Sequence, residues 1–131
     1  MISSPYDKYR QSSVQTATPA QLLLMMYDGA IKFVRGALEG LTDSNYQNTN
    51  TFLNKAQTIM SELIVTLDYS FEVSKGLAAM YEYINHLLIQ ANIKKEAGPA
   101  EEALGYLVEL RETWSQAAKM SAAAGSDIAN G

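Results

Sequence analysis

Apolar residues recur at alternating spacings of four and three in four long segments of the chain, and this pattern constrains the fold most. Such spacing gathers apolar side chains on one side of an α-helix, as in the seam of a helical bundle. The seams are Leu23, Tyr27, Ala30, Val34, Ala37 and Leu41; Leu53, Ala56, Met60, Leu63 and Leu67; Val73, Leu77, Met80, Ile84, Leu87 and Ala91; and Ala103, Leu107, Leu110, Trp114 and Ala117. No segment shows the sustained two-residue alternation of a half-buried strand. With short connections, the sequence predicts an all-α, antiparallel up-down-up-down four-helix bundle.

Capping signals indicate where the first two helices begin. Thr18 is a typical N-cap, Pro19 suits the first helical position, and Gln21 completes a capping box. Ser44, followed three residues later by Gln47, predicts a second capping box at the start of the second helix.

Weaker signals mark the other two helices and the ends of the domain. We expect the third helix to start after Ser70 and to end at Gly98, and Pro99 to open the fourth. The length of 131 residues suits one domain. The predicted division is an N-terminal arm over residues 1–17 with one short helical turn at most, a bundle over residues 18–122 and a flexible tail over residues 123–131.

Charge and composition exclude several kinds of partner. The net charge is −4, and only 18% of the residues are charged. Nucleic-acid binding depends on neutralising phosphates with Lys and Arg, so an acidic chain with few charges disfavours it. The longest apolar run, six residues, is too short for membrane insertion. The N-terminus lacks the pattern of a secretory signal, so we expect a cytoplasmic protein.

Catalysis and metal binding have few candidate residues. The chain has no cysteine, and His86 is its one histidine. A di-iron bundle needs Glu-x-x-His pairs, which the sequence lacks, and zinc sites usually need several His or Cys ligands. We therefore expect neither an enzyme nor a bound metal or cofactor.

The first helix has more apolar surface than one neighbour can cover. Leu22, Met26 and Phe33 flank its seam on one edge, where they alternate with glycines. The other edge carries Leu24, Ile31 and Leu38, so the apolar arc is about 200° wide. The two neighbouring helices of a bundle are one way to cover this arc. Because a glycine stripe lets another backbone approach closely, a third helix from the N-terminal arm or from another protein is the alternative.

Two further groups of residues suggest a binding surface. Tyr6, Tyr9 and Val14 lie in an otherwise polar part of the arm, which either packs on the bundle or docks reversibly with a partner. Tyr83 points away from the seam of the third helix, and together with Ile89 and Ile93 it would form an exposed apolar patch. A contiguous patch of this kind is typical of a binding surface.

Three stretches of the sequence resemble the flagellar export chaperone family FliS. They are SPYDKYRQSSVQTATPAQLLLMMYDGAIKFV, AAMYEYINHLLIQANIKKE and ALGYLVELRETW, and they occur in the family's order between Tyr6 and about Ala118. The resemblance implies a helical bundle that binds the disordered C-terminal segment of flagellin in the cytoplasm. It also implies that the chaperone prevents premature polymerisation and delivers flagellin to the flagellar export gate. The arm with Tyr6 and Tyr9 would cover the empty bundle and contact the export machinery.

The resemblance has one departure that matters for a site. Members commonly carry a basic pair where this chain has His86 and Leu87, so an ion pair expected there is in doubt. The candidate partner-binding residues are Tyr6, Tyr9, Val14, Leu22, Met26, Phe33, Tyr83, Ile89, Asn92 and Ile93. The alternative function is a helical interaction or self-associating bundle unrelated to flagella, and a free homodimer is compatible with either reading.

Overall fold

Four α-helices make up almost all of the computed structural model, which describes residues 17–130 and the side chains of residues 17–121. They are α1 (Pro19–Thr42), α2 (Tyr46–Val65), α3 (Val73–Lys94) and α4 (Ala97–Asn130). Helix α1 packs against α2 and α4, and α3 packs against the same two helices, so the four form a closed ring. The prediction of an all-α four-helix bundle is confirmed, and the described residues contain no strand.

The predicted start of α1 is confirmed in detail. The backbone N–H of Gln21 donates to Oγ1 of Thr18 at 3.2 Å, and the backbone N–H of Thr18 donates to Oε1 of Gln21 at 3.0 Å. These two bonds satisfy donors that a helix start leaves unpaired, and Pro19 has no N–H to satisfy.

The predicted capping box at Ser44 is wrong. Ser44 adopts a left-handed conformation with φ 54°, in a turn where the N–H of Asn45 donates to the carbonyl of Gly40 at 2.7 Å. Asn45 is therefore the residue that caps α2, and its Oδ1 accepts from the N–H of Asn48 at 3.2 Å. The tight turn displaces the cap by one residue from the position that the sequence predicts.

Helix α3 ends four residues before its predicted end at Gly98, and α4 begins two residues before its predicted start at Pro99. Lys95 adopts a left-handed conformation with φ 53°, which ends α3 at Lys94 without a glycine. Helix α4 begins at Ala97, so Gly98 and Pro99 both lie in its first turn. A proline is tolerated there because the N–H groups of the first turn have no partner within the helix.

The seams of α1 and α2 form the core that the sequence predicts, but the start of the α3 seam does not. Tyr27, Val34, Leu53 and Met60 are fully buried, whereas Val73 is 61% exposed. The other exposed seam residues are Met80, at 37%, and Ala117. Tyr81, predicted beside the seam, is 1% exposed and lies in the core. Near the start of α3, Val73 and Leu77 border a cavity that the four helices leave open, so the seam there is not packed by another helix.

Helix α4 is longer than the other three. Its 34 residues extend about 51 Å, against about 36 Å for the 24 residues of α1. The backbone is helical as far as Asn130, through most of the predicted tail, whose flexibility remains a prediction. Among the described residues, no helix is both long and apolar enough to cross a membrane.

Candidate partner-binding surface

The glycine edge of α1 is filled by side chains of α2. A Cβ atom at Gly29 would lie 3.2 Å from Ile59, and one at Gly36 would lie 3.0 Å from the Phe52 ring. At Gly40 it would lie 3.1 Å from the backbone of α2. The glycines therefore let α2 approach closely, and the interpretation of this stripe as room for a third helix is wrong.

Phe33 belongs to the same α1–α2 contact. Its ring stacks on Phe52 with centroids 6.2 Å apart and planes 21° apart, and Nζ of Lys55 lies 5.5 Å from its centroid. This candidate binding residue is therefore engaged by α2, with one cation over its open face.

Towards the N-terminal end of α1, an apolar groove of about 600 Å³ lies between α1 and the C-terminal part of α2. We call it the outer groove. Its lining residues are Leu22, Met25, Met26, Thr58, Ile59, Ser61, Glu62, Val65 and Thr66. Leu22 and Met26, two of the candidate residues, thus face an open concave surface.

A second cavity of about 560 Å³ opens at the end of the bundle where α1 begins. We call it the end cavity. Its lining residues are Pro19, Leu22, Leu23, Met26, Leu63, Thr66, Leu67, Asp68, Phe71, Val73, Ser74, Leu77, Tyr81 and Trp114. Leu23, Leu67 and Leu77 are seam positions, so the cavity is a part of the core that the four helices leave unfilled. Leu22 and Met26 border both spaces and make the apolar surface continuous.

Large exposed apolar side chains concentrate around this end of the molecule. Val65 is 83% exposed, Phe71 is 62% exposed, and Tyr69 is 55% exposed, all within or beside the α2–α3 connection. Val65 lines the outer groove, and Phe71 lines the end cavity. Single exposed apolar residues are normal, but exposed apolar side chains grouped at two apolar cavities are typical of an interaction site.

Tyr81, which lines the end cavity, forms a buried pair with Tyr27. The hydroxyl groups of Tyr27 and Tyr81 form a hydrogen bond, and their ring centroids are 6.3 Å apart. Burial raises the pKa of both phenols above the usual value of 10.0. Both side chains are therefore neutral at physiological pH, and the pair satisfies two hydroxyl groups in an apolar core.

Tyr83 lies on the α4 side of α3, apart from the isoleucines with which it was grouped. Its hydroxyl donates to Oε2 of Glu102 at 2.8 Å, and its ring centroid lies 6.0 Å from that of Tyr106. The bond to Glu102 raises the pKa of Tyr83. Six residues separate Tyr83 from Ile89, which turns the two side chains about 120° apart around the helix. The predicted single patch with Ile89 and Ile93 is not formed.

Asn92 connects α3 to α2. Its Nδ2 donates to Oδ1 of Asn50 at 2.9 Å and to Oδ1 of Asn54 at 3.4 Å. The Nζ of Lys95 donates to the carbonyl of Asn92 at 2.8 Å. The two bonds to Asn50 and Asn54 give Asn92 a role in joining α3 to α2. The neighbouring candidate residues on α3 differ in exposure, because Ile89 is half-buried and Ile93 is 72% exposed.

The structure explains the departure at His86 and Leu87. Leu87 is 7% exposed and belongs to the hydrophobic core, while His86 is exposed. The buried Leu87 side chain carries no charge, so it cannot form the ion pair that a basic residue at this position could form.

Three candidate residues, Tyr6, Tyr9 and Val14, lie outside the described residues. Chain order alone shows where the arm connects, because Ala17 and Thr18 lead directly into Pro19 at the end cavity. Within residues 17–130, no group of three or more acidic, His or Cys side chains is placed to hold a metal ion.

Several residues of the surface escaped the sequence analysis. Met25 lines the outer groove, and its place in the six-residue apolar run of the first helix could have indicated this. Phe71 lines the end cavity, and the interruption of helical spacing after Val65 could have indicated the exposed loop that contains it. Trp114 was assigned to the seam but lines the end cavity and is half-buried. No sequence signal distinguishes a seam position that packs from one that borders a cavity.

Comparisons with known proteins point to one family. A family model described as "Flagellar protein FliS" matches residues 2–121. The flagellar secretion chaperone FliS of Bacillus subtilis (strain 168) is 43% identical over 116 residues, which cover 88% of this chain and 87% of the relative. The protein of that name from Salmonella typhimurium is 32% identical over 109 residues, 81% of each chain. A crystal structure of a bacterial flagellar chaperone aligns with a TM-score of 0.73 at 19% identity, over 88% of this chain and 98% of that chain, which supports the bundle fold.

Proposed function

This chain belongs to the FliS family, and we propose that it is a flagellar secretion chaperone that binds the C-terminal segment of flagellin in the cytoplasm. Binding would keep flagellin from polymerising prematurely and deliver it to a component of the flagellar export gate. The chaperone role is supported by the names of its relatives, and the client and destination are our proposal.

The observation that carries the proposal is the continuous apolar surface of the outer groove and the end cavity. Apolar surface of this extent costs free energy when it stays in contact with water. A disordered client segment that folds on binding gives up conformational entropy, so it needs an extensive apolar contact to bind well. The two cavities provide that contact and need no catalytic group.

The position of the arm supports a role in the same cycle. Residues 1–16 connect to α1 at the rim of the end cavity, so Tyr6, Tyr9 and Val14 are within reach of the surface that the client would occupy. We propose that the arm covers this surface in the empty protein and leaves it when flagellin binds.

The test is a titration of the purified chain with the C-terminal segment of flagellin encoded by the same genome. Leu22→Gln and Met26→Gln place an amide in the surface shared by both cavities, and each should weaken binding at least tenfold. Met120→Gln is the matched control, because Met120 is 70% exposed on α4 and lines neither cavity. Failure of the unmodified chain to bind flagellin would rule out the proposed function.

Self-association is the second candidate, and the exposed apolar residues around the end cavity favour it. A homodimer of the free protein would bury the same surface in a second copy. Light scattering distinguishes the two cases, because a chaperone dimer should dissociate as flagellin is added, whereas a structural dimer should persist.

A further inference from the structure

We propose that Glu62 makes the outer groove selective for a client helix that carries a lysine or arginine beside its apolar anchors. This inference rests on the proposed function and specifies the chemistry of the client at one position.

The walls of the outer groove determine the conformation of its occupant. Both walls are helices, whose interior backbone groups are paired within each helix. The hydroxyl of Thr58 donates to the carbonyl of Asn54 at 3.1 Å, and that of Thr66 donates to the carbonyl of Leu63 at 3.1 Å. The groove therefore offers few donors to an extended backbone. A client segment that satisfies its own backbone hydrogen bonds, namely a helix, fits this surface.

The length of the groove limits the contact to about two helical turns. On α2 the lining runs from Thr58 to Thr66, which corresponds to about 12 Å along the helix axis. Two turns present apolar anchors at positions i, i+3 or i+4, and i+7. Met25 and Met26 contribute flexible side chains that can adjust to anchors of different shape.

Among the residues that the structure describes, Glu62 is the one charged residue that lines the outer groove. It forms no ion pair with any residue that the structure describes. Within residues 17–121, the end cavity adds Asp68 and no basic residue, so the described lining of both cavities carries negative charge only. A cation on the flank of the client helix would complement Glu62, and an acidic residue there would be repelled.

The arrangement of Glu62 also sets the expected size of the effect. An ion pair between exposed groups is weak. Glu62, however, has apolar side chains around it on the groove side, and a docked client helix would remove water from the ion pair. We expect Glu62→Lys to weaken binding of the flagellin C-terminal segment by about five- to tenfold. The loss should be largest at low salt and should shrink as ionic strength rises.

The experiment is a titration of the full chain with that flagellin segment at two salt concentrations. Glu82→Lys is the matched control, because it makes the same charge change at an exposed position of α3 that lines neither cavity. It should alter affinity less than twofold. Circular dichroism checks that both variants remain helical.

A charge swap completes the test. Each lysine and arginine of the flagellin segment is changed in turn to glutamate, and one of these variants should bind Glu62→Lys more tightly than it binds the unmodified chain. If Glu62→Lys binds as Glu82→Lys does, or if no client variant shows the reversal, the inference is overturned while the proposed function stands. If flagellin does not bind the unmodified chain at all, both fail.

Discussion

The hydroxyl groups of Tyr27 and Tyr81 form a hydrogen bond that joins α1 to α3, and both hydroxyl groups also interact with Trp114. Tyr81→Phe would remove this hydrogen bond from the buried Tyr27 hydroxyl, at a cost of about 1–3 kcal/mol in the free energy of unfolding. Replacing both by phenylalanine removes both polar groups and should cost less than the sum of the two single changes. Urea denaturation of the three variants measures this coupling. Tyr83→Phe, on the surface, is the control, and a Tyr81→Phe variant as stable as that control would contradict the prediction.

The same pair predicts how stability responds to alkaline pH. Because burial raises the pKa of both phenols in the folded protein above 10.0, the unfolded chain loses protons first as pH rises. The contribution of this pair to stability should therefore be constant below pH 10 and fall above it, by up to about 1.4 kcal/mol per pH unit for each tyrosine. The dependence should be shallower when Tyr27 and Tyr81 are both phenylalanine. Tyr83 and Tyr106, whose pKa values Glu102 raises, remain in both proteins, so the difference isolates the buried pair.

At the scale of single residues, the sequence predicts local interactions and misses distant ones. The capping box of Thr18 and Gln21 joins residues three apart, and its chemistry is complete in the sequence. The bond between Tyr27 and Tyr81 joins residues 54 apart, so it depends on how the helices are placed. Asn92 shows the same limit, because its partners Asn50 and Asn54 come from another helix.

The glycines of α1 and α4 have opposite roles at the scale of the helix. Gly40→Ala would place a Cβ atom 2.5 Å from Oγ1 of Thr49, whose hydroxyl donates to the carbonyl of Ala37 at 3.0 Å. It should therefore lower the free energy of unfolding by about 1–3 kcal/mol. Gly105→Ala is the matched control, because it lies in α4 and a Cβ there would meet nothing within 4 Å. That change should raise stability by up to about 1 kcal/mol, as expected for alanine in an exposed helix.

Thermal and urea denaturation would measure both glycine variants. If Gly40→Ala and Gly105→Ala shift stability in the same direction, the close α1–α2 contact does not determine the role of Gly40.

Helix positions were predictable where periodicity is strong, and helix ends were not. The second seam, from Leu53 to Leu63, is buried as its spacing indicates. Helix α3 ends because Lys95 adopts a left-handed conformation, which is rare for lysine. No glycine or proline at this position indicates the end of the helix in the sequence. Gly98 and Pro99 are common terminators, but both fit the first turn of the next helix.

For the whole molecule, the sequence predicts the number and order of the helices but not where their core is incomplete. Val73 and Leu77 continue the seam of α3 by spacing, yet they line the end cavity. Periodicity reports the direction of a side chain around its helix and carries no information on whether a neighbour fills the space opposite. Leu22 and Met26 indicated the excess apolar surface on α1 correctly. The glycines beside them suggested room for a third helix along that edge, where side chains of α2 lie instead.

The arm provides the last prediction, because residues 1–17 precede α1 and its cap at Thr18. Deleting them leaves the capping box and the core of Tyr27, Leu53 and Ile84 intact, so helicity should be unchanged and the melting temperature nearly so. If the arm covers the end cavity in the empty protein, its removal should increase aggregation and the binding of a hydrophobic dye, and should change affinity for the flagellin segment. A matched variant that keeps the arm but carries Tyr6→Ser and Tyr9→Ser tests whether the aromatic side chains are responsible. Loss of helicity on deletion would show that the arm is part of the folded core, and the proposal that it is displaced by the client would be wrong.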